Sequence, residues 1–282
     1  MSYPAPYEGF GAAEFFKLAW LSEHVLQVSF QRAPVNAFHV PMWTEMHKIF
    51  DHIRGDGDVR VVILSGEGRC FTAGLDLQDP MLLEAKENGS DVARRALNFR
   101  ELIDRFQAAI TSIEVCERPV IGVAHSHALG LAIDILSTVD IRYATKDTTF
   151  SIREAAIGLA ADIGTLQRFP KIVGNDSVAR ELALTARDFN AAEAQQIGFV
   201  SQVFATRDEA LRAAVATAQR IASLSPVAVV GTKMSLVHAR DHSVDEGLKY
   251  MQYLNASFLQ SDDLMEAIGA ALSKSKPTFA KL

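Results

Sequence analysis

The chain has 282 residues, of which 49% are apolar and 22% charged, a size and composition that bury a large core and exclude a disordered chain or a disulfide-stapled miniprotein. Its 28 Lys and Arg stand against 34 Asp and Glu, a formal net charge of -6, which argues against general nucleic-acid binding. The thiols, Cys70 and Cys116, belong to no Cys/His pattern with metal spacing, so a reducing compartment, no disulfide and no metal site are expected.

Residues 1–20 contain Pro4, Pro6, Glu8 and Glu14 and have neither a basic start nor an apolar stretch, so they read as a polar lead-in and not as a secretory signal. From His24 to Arg32, Leu26, Val28 and Phe30 alternate with Gln27, Ser29 and Gln31, which predicts a half-buried strand ending in the turn-like RAPVN. Trp43, Met46, Ile49, Phe50 and Ile53 then recur at helical spacing, between Pro41 and Gly55. The run from Val59 to Leu64, apolar but for Arg60, predicts a strand buried on both faces, as in a parallel sheet, and it opens into the loop SGEGRCFTAGLDL. A long amphipathic helix is predicted from about Ser90 to Cys116, followed by the buried strand VIGVAHS and the apolar helix ALGLAIDILSTV. That apolar stretch, Ala128 to Val139, is broken by Asp134 and is too short for the roughly 30 Å of a bilayer core, so a soluble protein with no membrane partner is expected. DIRYAT and TFSI continue the strand pattern, and FVSQVFA ends it near Ala205; beyond lie three or four helical segments. This divides the chain into an α/β core, residues 1–205, and a helical region, residues 206–282.

Three acids stand in apolar surroundings: Asp134 in GLAIDIL, Glu154 in SIREAAIGL and Asp162 in GLAADIG. A carboxylate in such a context is costly unless paired or hydrogen-bonded. Each could cap a helix or hold a loop, Asp162 in particular serving as an N-cap before IGTLQRF; together they suggest a proton-handling site. FTAGLDL (Phe71–Leu77) and HSHALGLAID (His125–Asp134) are loop-to-helix turns of small residues, where main-chain N–H groups can converge on an oxyanion. SGEGRC fails the dinucleotide G-x-G-x-x-G pattern. His125 and His127 have no third ligand at a recognisable spacing and read as turn or surface residues, and Arg94, Arg95, Arg100 and Arg105, interleaved with Glu101 and Asp104, as a solvated helix face.

VVILSGEGRCFTAGLDL, ERPVIGVAHSHALGLAIDILSTVDIRYA and FSIREAAIGLAADIGTLQRFPKIVGN together resemble the enoyl-CoA hydratase/isomerase (crotonase) superfamily, and within it the Δ3,5-Δ2,4-dienoyl-CoA isomerases. The resemblance implies a crotonase-like spiral of ββα turns with a C-terminal helical trimerisation region, in a homotrimer or a hexamer. It implies a backbone oxyanion hole at Leu75 and Leu131, substrate contacts from Ala73, Gly74, Leu75, Asp76, Leu77 and Ala132, and catalytic carboxylates at Asp134, Glu154 and Asp162. The family usually writes Gly-Gly-Gly where this chain has Gly130-Leu131-Ala132, so the Leu131 side chain is expected to point away from the acyl chain.

The activity so implied moves the double bonds of a 3,5-dienoyl-CoA to the 2,4 positions, in fatty-acid β-oxidation. The substrate would be an acyl-CoA thioester and no separate cofactor is expected. Moving two double bonds into conjugation removes a proton at C2, expected to fall to Glu154, and delivers one at C6, expected to come from Asp162. Hydratases of the family usually have Pro-Gly where this chain has Ala161-Asp162, so the isomerase reading rests chiefly on Asp162. An enoyl-CoA hydratase, a Δ3-Δ2-enoyl-CoA isomerase and a non-enzymatic RNA-binding relative are the alternatives. The terminal Ala280-Lys281-Leu282 resembles the S-K-L type of peroxisomal address, implying a peroxisomal import receptor as partner and the peroxisomal matrix as location. Arg32 is a candidate phosphate contact.

Overall fold

A computed structural model of the chain describes residues 1–81, 84 and 88–282. The first strands are β1 (Ala5–Pro6), β2 (Phe16–Ser22) and β3 (Val25–Phe30), paired antiparallel in that order. The polar lead-in is therefore partly sheet: Phe16 and Ala19 of β2 are buried while Leu18, Trp20 and Leu21 are half-covered, so no clean two-residue period marks the strand. Helix α1 (Val40–Gly55) follows, with Pro41 in its first turn.

From β3 onward the sheet is parallel: β3 pairs with β4 (Val61–Gly66), β4 with β5 (Val120–Ala124), β5 with β7 (Ile141–Thr145) and β7 with β10 (Gln202–Phe204). Every residue of β4 is buried, the signature expected of a strand covered on both sides. Val62 and Leu64 face one layer, with α1, the long α2 (Val92–Val115) and α3 (Leu131–Thr138) contributing to the main core. Val61 and Ile63 face the other, joined by Val25, Ile121 and Val123. That second face is closed by α7 (Arg207–Ala222), whose Ala210, Ala214, Ala218 and Ala222 recur every fourth residue and let the helix lie close on the strands. The first helix of the expected helical region is thus a layer of the α/β core.

A smaller sheet of β6 (His127–Leu129), β8 (Thr149–Ser151) and β9 (Asp188–Asn190) stands beside the large one. A 3-10 turn (Glu154–Ile157) follows β8, and helices α4 (Thr165–Val173), α5 (Asp176–Thr185) and α6 (Ala191–Gln196) fill the stretch to β10. The chain closes with α8 (Pro226–Ala239), α9 (Val244–Phe258) and α10 (Asp262–Ser273). Residues past α10 fold back on the core: Arg60 Nη2 donates to the carbonyls of Phe279 and Ala280 at 2.8 and 3.2 Å, and Lys281 Nζ lies 2.5 Å from Asp58. No single helix among the described residues is long and apolar enough to cross a membrane.

Candidate active site

Beyond the C-terminal ends of β4 and β5, the chain forms the two glycine-containing turns, and ladder bonds weld them together. Thr72 N–H donates to His127 O and Leu129 N–H to Thr72 O, both at 3.2 Å. On the other side Phe38 N–H donates to Gly74 O at 2.8 Å and Asp76 N–H to Phe38 O at 2.7 Å, forming a parallel bridge between Phe38 and Leu75. Parallel pairing of this kind uses the groups on either side of Leu75 and leaves the Leu75 N–H directed away from Phe38.

Gly74 has φ +97°, and a Cβ placed on it would stand 2.7 Å from Leu129 O and 3.6 Å from Leu131 N. The two turns touch at a glycine because nothing larger fits. Leu131 is the first residue of α3, so its N–H has no partner within the helix and sits at the positive end of the helix dipole. Two main-chain donors, from Leu75 and Leu131, are thereby neighbours. The Leu131 side chain itself is buried in the main core.

Of the three acids, Glu154 lies nearest these turns, against Gly130. Asp134, one turn into α3, is 1% exposed and accepts a 2.6 Å hydrogen bond from Thr165 N–H at the start of α4. Burial, and then the negative charge of Glu154, push its carboxyl up to about 7. Glu154 opens the 3-10 turn, and its Oε1 lies 3.2 Å from where a Cβ on Gly130 would be, next to the Leu131 amide. Its Oε2 is buried and unpartnered among the described residues, and burial followed by the charge of Asp162 raises its proton affinity. Asp162 is an exposed residue whose carboxyl is nevertheless raised by burial, while Gln107 Nε2 of α2 holds its main-chain carbonyl at 2.5 Å. Asp134, Glu154 and Asp162 thus form a series in which each acid feels the next.

Other expectations change in detail. The N-cap of α4 is Gly164, with φ +136°, and not Asp162; the carboxylate that reaches the helix start is Asp134, supplied from α3. Ala73, Leu75 and Asp76 are half-buried around the turn, Gly74 is buried at its centre and Leu77 is exposed. Ala132 is 0% exposed, because one step along α3 beyond Leu131 already faces the core; it supports the turn from behind and offers no surface to a substrate. Arg32 binds Asp76 at 2.7 Å and the carbonyl of Ala37, which fastens the loop in place of leaving a free cation for phosphate. Asp76 is held below the ordinary carboxylate range, its Gln78 N–H bond and Arg32 outweighing burial. His125 is buried, its Nε2 placed 3.2 Å from Gly68 O, whereas His127 is exposed.

Sequence reasoning passed over Asn36 and Thr72, which stabilise the Phe71–Leu77 turn. Asn36 Nδ2 donates to the carbonyls of Glu67, Cys70 and Phe71 at 2.9 to 3.2 Å. Thr72 Oγ1 donates to Asn36 O at 2.6 Å and accepts from Gly74 N–H at 3.0 Å. The asparagine of RAPVN, with φ 52°, was the available signal, since few other residues accept that backbone.

Asp134 has a testable titration. Its folded carboxyl is raised above the ordinary 3.8 to about 7, so the unfolded chain loses its proton first. The group then destabilises the fold progressively as pH rises through that window, and fully above it. Asp134→Asn keeps an oxygen acceptor for Thr165 N–H and removes the charge. Its stability relative to the parent is therefore expected to improve between pH 5 and pH 8, as read from urea midpoints at the two values; a constant difference would contradict the raised carboxyl.

The structure thus joins a mixed sheet with an attached helical region to two neighbouring glycine-containing turns and three acids, Asp134 buried, Glu154 half-buried and Asp162 exposed. The chain belongs to the enoyl-CoA hydratase/isomerase family, whose profile matches residues 21–281. It is 44% identical over 273 residues to the mitochondrial Delta(3,5)-Delta(2,4)-dienoyl-CoA isomerase of Rattus norvegicus, covering 95% of this chain and 84% of that protein. To the peroxisomal enzyme of the same name from Arabidopsis thaliana it is 42% identical over 249 residues, 88% of this chain and 89% of the relative. Among solved structures, Pseudomonas aeruginosa DspI superposes with a TM-score of 0.85 at 26% identity, covering 97% of this chain and 99% of that one. An enoyl-CoA hydratase from Bacillus anthracis shares the fold at a TM-score of 0.84 and 24% identity, over 94% of this chain and 99% of the other. The crotonase-like α/β fold expected from the sequence is the fold observed.

Proposed function

We propose that this protein is a Δ3,5-Δ2,4-dienoyl-CoA isomerase, and the observation that carries the proposal is the series of acids in which Asp134 feels Glu154 and Glu154 feels Asp162, with Glu154 lying against Gly130 next to the Leu131 amide. The names of the rat and Arabidopsis relatives support it. A thioester oxygen between the two amides receives both hydrogen bonds, and each such donor contributes about 3–4 kcal/mol as negative charge develops there. Glu154, lying against Gly130 with one oxygen unpartnered, takes the C2 proton. The dienolate that results is quenched at C6 by the proton of Asp162. After one turnover Glu154 is protonated and Asp162 ionised; the exposed edge of Asp162 lets it regain a proton from water, while Glu154 returns its own through the shared acids or solvent.

Purified protein mixed with a 3,5-dienoyl-CoA is expected to develop the ultraviolet absorbance of the conjugated 2,4-dienoyl thioester. Glu154→Gln is expected to lower that rate by about 10²–10⁴. Absence of the signal from the parent protein would overturn the activity, and an undiminished rate in the variant would overturn the role of Glu154.

The exposed Leu236, Val244, Leu248, Tyr253 and Leu272 on α8 to α10 support self-association through the C-terminal helices, in a trimer or hexamer. A peroxisomal location is favoured by the name of the plant relative and by Ala280-Lys281-Leu282, and opposed by the mitochondrial name of the rat relative. Imaging the protein with a fluorescent tag at its N-terminus, with and without the last three residues, separates the compartments.

A further inference from the structure

Arg168 occupies an unfavourable position. It lies in the first turn of α4, where a cation opposes the positive end of the helix dipole, and its side chain folds back toward the helix start. A Cβ on Gly164 would collide with its Nη1 and stand 3.3 Å from its Cζ. Partners on other helices hold the guanidinium there. Nη2 donates to Thr111 Oγ1 at 2.9 Å and to Glu114 Oε2 at 3.3 Å, both on α2, and Glu114, buried, also takes Arg240 from the end of α8.

The residue so covered joins two parts of the candidate site. Asp162 lies two positions before Gly164, and Thr165, whose N–H holds Asp134, lies one position after it. Gly164 has φ +136°, a backbone that glycine adopts readily and that needs an external restraint to be the only one populated. Gln107 secures the main chain at Asp162, and the Arg168 guanidinium covers the next turn.

We propose that Arg168 is a positioning residue for the isomerisation, pressing on Gly164 so that the Asp162 carboxyl and the Thr165 N–H keep their settings relative to Glu154 and Asp134. The proposal rests on the reading of these acids as the proton-transfer set. It accounts for a cation at the wrong end of a helix and for a glycine where an ordinary N-cap would serve. The Arg168 charge also bears on Asp134, drawing its carboxyl down against the effects of burial and Glu154.

The test compares Arg168→Met, Arg168→Lys and Thr111→Val with Asp162→Asn, reading kcat, KM and the pH profile of 2,4-dienoyl-CoA formation. A misplacement of about 1 Å costs roughly 100-fold in rate, so Arg168→Met is expected to lower kcat 10- to 100-fold, by that same scaling, with KM changed about twofold at most. Its pH profile is expected to move to higher pH, because Asp134 loses a cation. Arg168→Lys restores the charge without the planar contacts, so the pH profile returns while kcat stays reduced. Native kcat and pH profile in Arg168→Met, beside an inactive Asp162→Asn, would overturn the positioning role and leave the acid assignment standing. A fully active Asp162→Asn would overturn both. Should Arg168→Met fail to fold, Thr111→Val decides: a lower kcat at unchanged KM supports the proposal, and a native kcat sinks it.

Discussion

Asp162→Asn is expected to lower the rate of 2,4-dienoyl-CoA formation by about 10²–10⁴ and to leave the fold intact. An amide has the size of the acid but neither delivers nor regains a proton at C6, so the dienolate would form and revert without product. The fold has little reason to respond. Asp162 is exposed, and what anchors its segment is the main-chain carbonyl held by Gln107, which the substitution leaves alone. A stability change within about 0.5 kcal/mol is therefore expected, measured as a thermal midpoint beside the ultraviolet rate. The same variant separates this chemistry from its alternatives. Adding water to a 2-enoyl thioester would call on Asp134 and Glu154, so any such side activity would survive the change, while a dienoyl rate close to the parent's would overturn the role of Asp162.

The second large effect is expected from Gly74→Ala, a single methyl group placed between the Leu75 and Leu131 turns. At φ +97° an alanine is strained, by about 1–3 kcal/mol. The methyl would also stand 2.7 Å from Leu129 O, a main-chain atom with no flexible end to swing aside. Relief comes only from separating the Leu75 turn from the Leu131 turn, which takes the two amides apart. Losing one oxyanion donor costs about 10²–10³ in kcat, and that loss, together with a lowered thermal midpoint, is the expected result. Unchanged activity would mean that the two amides do not act as a pair.

The elements that were readable in the sequence are those whose local pattern and tertiary role coincide. Val61 to Leu64 are apolar without interruption and are covered on both sides, by the main core and by the alanines of α7. Trp43, Met46 and Phe50 repeat at the helical period and face one core. The strand Phe16–Ser22 was hidden because it lies near the sheet edge, with half-covered residues on both faces. Of the small sheet only β8 was read, within TFSI; β6 and β9 span three residues each, too few for a period.

At the site, the glycine turns and the three acids were visible as residue types in unusual company. Which of the acids reaches the start of α4 was not. Asp162 directly precedes an apolar run and so resembles an N-cap, but the N–H at that helix start is satisfied from 31 residues upstream, by Asp134. No window along the chain contains both partners. The supports of the Leu75 turn were hidden for the same reason: Thr72 is an ordinary residue until the carbonyl of Asn36 and the amide of Gly74 are brought to its hydroxyl.

The bond from Thr165 N–H to Asp134 links chemistry to mechanics. A carboxylate grips an amide more firmly than its neutral form does, and Asp134 changes form near neutrality. Each proton that settles on it slackens the anchorage of a helix that begins three residues after Asp162. As the site grows more acidic, its floor therefore softens.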